Sequence, residues 1–373
     1  MANDATGEVR RYLLPSGIEI ALAIAARSSR DSSLLHDRLG AYLLPHYLPL
    51  PLHGEGRRLW HIDVRYVPHV VFPGNAEGAP YQAEPGTAGH ASRIVPAGGG
   101  AFRMYEADAA IAAYFNPAGR SIVIEAAEGV SGDRLVQTVY AITRLLLLAS
   151  LADRGGRVLH AGAVAAGDAA VAIVGEKGSG KTTLVTALLA EGAAYVASDR
   201  LFVWRDGDGI FAAGWPCTYR LDPAGLPLVF EGESLKGLLD LMDRYGDDPQ
   251  YHYAGKFRFP PGDFLKAAHL KACRLPVPPR LRLAAIVELR AEDDGGYRIE
   301  TSRRPEQDAV DLLARHMVRY DLPPGIGAGG GAEREPLEPA PLHVLRLHGR
   351  TNPRRMAREL LALVQDGMAA ASG

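Results

Sequence analysis

The stretch "VAIVGEKGSGKTTLVTALLAEG", residues 171–192, runs an apolar tract into a glycine-rich loop and then into a helix-forming segment. "VAIV" reads as a buried strand, and "KTTLVTALLAEG" as a helix stopped by Gly192, where a left-handed C-cap is expected. Gly175, Gly180, Lys181 and Thr182 complete the pattern G-x-x-x-x-G-K-[ST]. Glycines let successive backbone N–H groups turn toward one point, which a Cβ would block. The helix that follows adds its N-terminal partial positive charge at the same place. The loop Gly175, Glu176, Lys177, Gly178, Ser179, Gly180, Lys181, Thr182 and Thr183 is therefore expected to hold a nucleotide phosphate chain. Lys181 supplies a compact cation to the β and γ phosphates, the Thr182 hydroxyl is placed to ligate Mg²⁺, and Thr183 to donate to the α-phosphate. The plain alternative is a chance glycine turn, but a strand before and a helix after are the context that the pattern requires. The motif is silent on reaction type.

The bulk composition narrows the field. With 47% hydrophobic and 23% charged residues among 373, the chain has the makings of a full globular core and length for two domains. A formal net charge of −2 leaves no electrostatic footprint for nucleic acid or an anionic membrane. Two cysteines, Cys217 and Cys273, form neither a disulfide framework nor a zinc pattern, as in a reducing cytoplasm. The N-terminus lacks the order of a signal peptide. The most apolar run, 135–152, carries Gln137, Thr143 and Arg144, and reads as a buried helix rather than a membrane span.

Two blocks follow along the chain. Residues 1–154 are expected to form a mixed, strand-rich domain with a role in choosing the acceptor. Residues 9–24 read as two strands about a Pro-Ser-Gly turn, 57–72 as a half-buried strand, and 101–128 as strands with a turn at "NPAGR". The segment 84–101 reads as a long loop because Gly, Pro and small residues dominate it. Residues 155–373 are expected to form the α/β domain. Before the glycine loop, "AAGDA" joins two β-rich runs into a hairpin; after it come strands at "AAYVASDRLFVW", "LRLAAIVELRA" and "PLHVLRLHG". Helices are expected over "PEQDAVDLLARHMVRY" and "NPRRMARELLALVQDGM", with a loop or lid at 321–341.

Absences sort the classes of phosphate-loop protein. No guanine-reading "NKxD" and no "LSGGQ"-like signature is present, which disfavours a GTPase switch and a transporter ATPase. Asp199 arrives at the end of the strand after the loop helix, where the rule for α/β crevices puts a carboxylate near the phosphates. There it serves Mg²⁺ through water, or takes the proton of an attacking hydroxyl; the plain alternative is a strand-end turn residue. His160, in "VLHAGAV", stands in an apolar run, where a lone histidine is ordinarily a satisfied core residue.

Taken together, "LHAGAV", "AIVGEKGSGKTTL" and "GAAYVASDRLFV" resemble the HPr kinase/phosphorylase family, whose fold is shared with ATP-dependent phosphoenolpyruvate carboxykinases. The resemblance is most specific over 157–205 and fades through "GWPCTYRLD", "GKFRFPP" and "LAAIVELRA". It implies an α/β phosphate-loop kinase core, ATP and Mg²⁺ as cofactors, a hydroxyl-bearing peptide, protein or small-molecule acceptor, and a homo-oligomer. Relatives include tailoring kinases of biosynthetic gene clusters. His160 falls on the family histidine beside the transferring phosphate, and Asp199 on the second aspartate of an acidic pair, followed by Arg200 as in the family.

One departure stands out: the first position of that pair is Ser198, which brings no charge and is no base, though its oxygen remains a metal donor. Thr182, Asp199 and Ser198 are thus the expected metal set, and Glu231 and Glu233 the downstream acids that the family's metal-binding glutamate suggests. Their plain alternative is exposed acids at a helix start. Arg200, Arg220, Lys256 and Arg258 are expected phosphate or substrate clamps. The expected activity is Mg²⁺-dependent transfer of the γ-phosphoryl group of ATP to a hydroxyl, with Lys181, Asp199 and His160 catalytic. The rivals are a nucleotide-binding regulator with slow hydrolysis and no acceptor, and a carboxykinase-like enzyme, for which no second metal site can be assembled.

Overall fold

The computed structural model describes residues 8–15, 17–24, 29–43, 46–51, 59–72, 79–81, 92–106, 110–207, 209–246, 251–253, 255–270, 280–290, 297–320, 322–323, 326, 342–349 and 352–372. Cys273 and nearly all of 321–341 lie outside them. The chain divides into two units, one built chiefly from residues before Gly155 and the other chiefly from those after it. Two excursions cross this division: Ala41–His46 group with the second unit, and the described residues of 319–334 with the first.

Among the described residues, the first unit carries a nine-stranded sheet. Its strands are β1 (Glu8–Leu13), β2 (Glu19–Ile24), β3 (Leu48–Leu50), β4 (Leu59–Val67), β5 (Ala79–Tyr81), β6 (Ser92–Gly98), β7 (Ala101–Glu106), β8 (Ile111–Asn116) and β9 (Ser121–Ala127), in the order 3-1-2-4-9-8-7-6-5. Alternation sets the faces: Ile62 and Val64 of β4, and Ile122, Ile124 and Ala126 of β9, are buried. The loop expected at 84–101 is corrected from Ser92 onward. Ser92–Gly98 pairs antiparallel with Ala101–Glu106, so the glycines 98–100 close a hairpin. Turn-forming composition was mistaken there for an absence of strand.

Two helices accompany the sheet strands in the chain, α1 (Ser29–Leu43) and the 21-residue α2 (Gly132–Ala152), and α2 needs no membrane to account for its apolarity. Helix α2 is long and apolar enough to cross a bilayer, yet 78% of its most apolar window is buried within the protein. Ser131 caps it by accepting from the Arg134 amide, and Thr143 returns its hydroxyl to the Tyr140 carbonyl at 2.8 Å.

The second unit is a layered α/β structure with large mixed sheets. Its strands are β10 (Arg157–Leu159), β11 (Gly162–Ala166), β12 (Ala169–Gly175), β13 (Ala194–Ala197), β14 (Leu201–Asp206), β15 (Gly209–Gly214), β16 (Tyr219–Leu221), β17 (His252–Tyr253), β18 (Lys256–Phe259), β19 (Leu281–Arg290), β20 (Arg298–Thr301), β21 (Met317–Val318) and β22 (His343–His348). Helices α3 (Lys181–Ala190), α4 (Gly232–Tyr245), α5 (Pro261–Ala267), α6 (Pro305–Arg315) and α7 (Pro353–Ser372) complete it. The β11–β12 hairpin is antiparallel, whereas β12–β19 and β19–β22 are parallel. Strand β12 is buried from end to end, as a central parallel strand covered on both faces must be.

Its two faces read directly from the pleat. Val171 and Ile173 face a core shared with Leu184, Leu188, Leu360 and Val364 of α3 and α7. Ala170, Ala172 and Val174 face the opposite core, with Leu312 and Leu313 of α6. A separate three-stranded sheet runs β16-β18-β17. The helix expected over 305–320 ends at Arg315: His316 caps it, and Met317–Val318 pairs with β10 instead. That early stop places His316 beside His160.

Candidate functional site

Parallel β12 and β19 end together, Gly175 opposite Leu289, and the glycine loop leaves from that edge. A Cβ on Gly175, whose φ is +151°, would stand 2.8 Å from the Leu289 carbonyl oxygen, so no larger residue fits. Gly180, at φ +97°, starts α3 without a side-chain cap, which leaves the amides of the first helical turn to other acceptors. Lys181 Nζ donates to the carbonyls of Gly175 at 2.7 Å and Glu176 at 3.0 Å, so the ammonium lies over the loop. Glu176, Lys177, Gly178 and Thr183 are exposed; Ser179, Lys181 and Thr182 are half-buried. The Ser179 hydroxyl is itself buried with no hydrogen-bond partner among the described residues.

Asp199 stands in the turn between β13 and β14. Its Oδ2 accepts from Arg200 Nη1 at 2.6 Å, and its Oδ1 lies 3.4 Å from His160 Nε2. The carboxylate remains 23% exposed. His160 follows β10, and its amide donates to the His316 carbonyl at 2.8 Å, which holds the backbone there. Burial pushes His160 below its ordinary value of 6.5; Arg200, Lys181 and His316 lower it further, against the pull of Asp199. Neutral at pH 7, the ring meets Asp199 as an N–H donor, not as a cation. Lys181 is depressed first by burial and then by Arg200 and Lys256, while Asp199 and Glu176 hold it up. Direct contacts join His160, Asp199 and Arg200, and Lys181 lies close enough to Asp199, Arg200 and Lys256 to feel their charge.

Other expected residues fall elsewhere. Ser198 is buried, its side chain turned inward beside the phenol of Tyr195, which burial raises strongly. Thr182 is at the loop, and its carbonyl accepts from Thr186 at 2.7 Å. Glu231 is the N-cap residue of α4, almost fully exposed and paired with Arg354 at 3.0 Å; Glu233 is exposed in the first turn. Both are acids at a helix start. Arg220 on β16 and Arg258 on β18 sit directly opposite one another in the small sheet. Among the described residues, no group of three His, Cys, Asp or Glu side chains gathers to hold a metal.

Two titratable residues near the loop edge escaped the sequence reading. His316 lies close enough to Lys181 and Glu176 to feel their charge, and burial lowers it below 6.5. Glu288, next to last on β19, is buried among Arg290, Arg315 and Arg346. The apolar run "LAAIVEL" marks Glu288 as a charge that needs partners, but nothing in the sequence names them.

Among solved structures, the chain is similar to the Hpr(Ser) kinase/phosphatase from Coxiella burnetii, with a TM-score of 0.27 and 11% identity over 58% of this chain and 99% of that one. No protein-family model matches the chain, and no curated protein matches it.

Proposed function

We propose that the second unit is an ATP-dependent, Mg²⁺-requiring kinase that transfers the γ-phosphoryl group to a hydroxyl of a peptide, protein or small molecule. The observation that carries this reading is the contact of His160 with Asp199 at 3.4 Å, in a chain whose glycine loop holds a Lys181 that feels the Asp199 charge. The loop fits a phosphate chain. Gly175 leaves room where a Cβ would strike Leu289, Gly180 leaves the helix amides uncapped, and the Ser179 hydroxyl wants a partner. For Mg²⁺ the protein offers the Thr182 hydroxyl and the Asp199 carboxylate, a hard-oxygen pair suited to an ion that keeps waters and takes phosphate oxygens. The ion supplies charge neutralisation on the phosphates when bound.

The chain's own residues divide the rest of the work. The loop amides and Lys181 hold the β and γ phosphates in line with the acceptor. Arg200 fixes Asp199 through Oδ2, which leaves Oδ1 to take the acceptor proton as its oxygen bonds to phosphorus and the bond to the ADP oxygen breaks. Neutral His160 orients Oδ1 with its single N–H. With Ser198 turned inward, Asp199 acts without a second acid.

A second reading, a nucleotide-binding regulator with slow hydrolysis, draws on that same lone carboxylate and its capture by Arg200. Mass spectrometry separates the two. The purified protein is incubated with ATP, Mg²⁺ and the proteins and peptides encoded beside its gene, with Asp199→Asn as control. A gain of one phosphate on a partner, lost in the variant, supports the kinase. Acceptor-independent ADP formation, equal in both proteins, supports the regulator.

A further inference from the structure

We infer that Arg315, in the last turn of α6, is a further catalytic residue of this site, whose guanidinium donates to an oxygen of the phosphoryl group as it is transferred. This inference rests on the kinase reading and adds a cation that the glycine loop does not contain.

A count of charges singles Arg315 out. Glu288 stands in register with Val174 on parallel strands, so both side chains meet the face of the sheet that α6 covers. On that face Glu288 and Asp308 supply two carboxylates to three guanidiniums, those of Arg290, Arg315 and Arg346. Arg290 places both Nε, at 3.0 Å, and Nη2, at 2.9 Å, on Glu288 Oε2. Arg346 has Asp308 at 2.5 Å. Arg315 brings Nη1 alone to Glu288 Oε1, at 2.9 Å. Two of the cations are thus matched one to one with carboxylates, and the charge of Arg315 is the surplus. Its side chain is also the most exposed of the three, at 55% against 42% for Arg290 and 23% for Arg346. A guanidinium carries several N–H donors in a planar fork, so one that is held through a single nitrogen has others to present.

Direct contacts place that surplus charge between the glycine loop and Asp199. On one side, its anchor Glu288 is the register partner of Val174, and the loop begins at the next residue, Gly175. Lys181 Nζ donates to the Gly175 carbonyl at 2.7 Å. On the other side, the residue after Arg315 is His316, whose carbonyl accepts from the His160 amide at 2.8 Å, and His160 Nε2 lies 3.4 Å from Asp199 Oδ1. Strand pairing closes the circuit: β13, which leads into Asp199, pairs with β11, and β11 with β12. Arg315 is the member of this circuit that joins β19 to the strand of His160. A cation in the last turn of a helix ordinarily serves the helix dipole from the water. Arg315 reaches instead to a buried carboxylate at the carboxyl end of β19, the end of a parallel sheet where ligands bind.

The chemistry needs such a group. The acceptor oxygen bonds to phosphorus, its proton passes to Asp199 Oδ1, and the electron pair of the broken bond stays with ADP. Charge is spread over the peripheral phosphoryl oxygens throughout, and an arginine donating to one of them favours the transferring state over the bound nucleotide.

The test uses the full chain, Mg²⁺ and ADP, with aluminium fluoride as a stand-in for the phosphoryl group in flight. Calorimetry reads the ADP affinity with and without the fluoride. The wild type is expected to bind ADP more tightly with the fluoride, by about tenfold or more, as a group that acts in transfer favours its mimic. In Arg315→Ala that gain is expected to fall below about twofold, while affinity for ADP alone changes by less than about twofold. Arg315→Lys, which restores the charge without the fork, is expected to recover part of the gain. Arg290→Gln also takes a cation from Glu288 and is expected to keep the whole gain, so it controls for an effect through the fold. An equal gain in Arg315→Ala overturns the inference. Loss of the gain in Arg290→Gln overturns it too, because both arginines then act through Glu288. A wild type that binds ADP with no gain overturns the inference and leaves nucleotide binding standing. A folded wild type that binds no ADP overturns the kinase reading itself, before any fluoride is added.

Discussion

Two carboxylates sit near the loop edge of the second unit's main sheet, and their surroundings differ in kind. Glu288 is 7% exposed, with Oε1 held by Arg315 at 2.9 Å and Oε2 by Arg290 at 2.9 Å and Arg346 at 3.4 Å. Asp199 is 23% exposed; Arg200 takes one oxygen at 2.6 Å, and the other meets only a longer approach from His160 at 3.4 Å. A carboxylate with both oxygens claimed by guanidiniums is a strut that closes the ends of β19, β22 and α6 together. A carboxylate with one oxygen held and one presented is oriented yet able to take a proton, as the proposed base must be. Proximity to the loop alone does not separate them; the number of lone pairs already committed does.

That contrast breaks most sharply under isosteric neutralisation. Asp199→Asn is expected to lower phosphoryl transfer by roughly 10²–10⁴-fold, the range for loss of a positioned base, with little change in melting temperature. Glu288→Gln is expected to do the reverse in kind: it removes the buried anion that three partly exposed guanidiniums share and costs about 1.5–3 kcal/mol in denaturant unfolding. If both variants unfold alike while transfer persists, the distinction between strut and base is wrong.

A smaller effect sharpens the same comparison at Ser198. Because its side chain is buried beside Tyr195, Ser198→Asp adds an acid to the core and not to the proposed Mg²⁺ position. We expect a loss of about 1–3 kcal/mol in chemical denaturation and no gain in transfer. A faster enzyme would show that position 198 faces the substrate.

The smallest effect is in pH. Burial lowers His160, His316 and, in the first unit, His36 below 6.5, so the unfolded chain binds protons at pH values where the folded chain does not. Stability is then complete above pH 6.5 and falls as pH drops from there toward the folded pKa values. His316→Gln should flatten that acid limb in melts recorded between pH 7 and 5. An unchanged slope would mean that His316 titrates alike in both states.

How much of this was legible in the sequence follows from which interactions are local. The glycine loop declares itself because strand, turn glycines and helix are contiguous, and each constraint falls on a residue type: Gly175 under Leu289, Gly180 at a positive φ. The β11–β12 hairpin, the stop at Gly192 and the placing of Asp199 after β13 are local in the same sense. The meeting of His160 with Asp199 needed the family resemblance, since 39 positions and a hairpin separate them. What stayed hidden is long-range pairing. Residues 92–98 look like a loop until β7 is beside them, and His316 looks helical until β10 captures Met317 and Val318. Glu288 gives up its three arginines only when α6 and β22 are in place. Ser198 could be recognised as a missing acid, but the direction of its side chain depended on Tyr195 packing into the core.

The most direct measurement is calorimetric titration of a non-hydrolysable ATP analogue, with and without Mg²⁺, into the wild type, Lys181→Ala and Asp199→Asn. The account predicts Mg²⁺-enhanced binding by the wild type and a loss of a hundredfold or more in Lys181→Ala. In Asp199→Asn it predicts retained binding with a reduced Mg²⁺ enhancement. No binding by a folded wild type, or equal binding by Lys181→Ala, would contradict the claim that this loop holds the phosphates of a nucleotide.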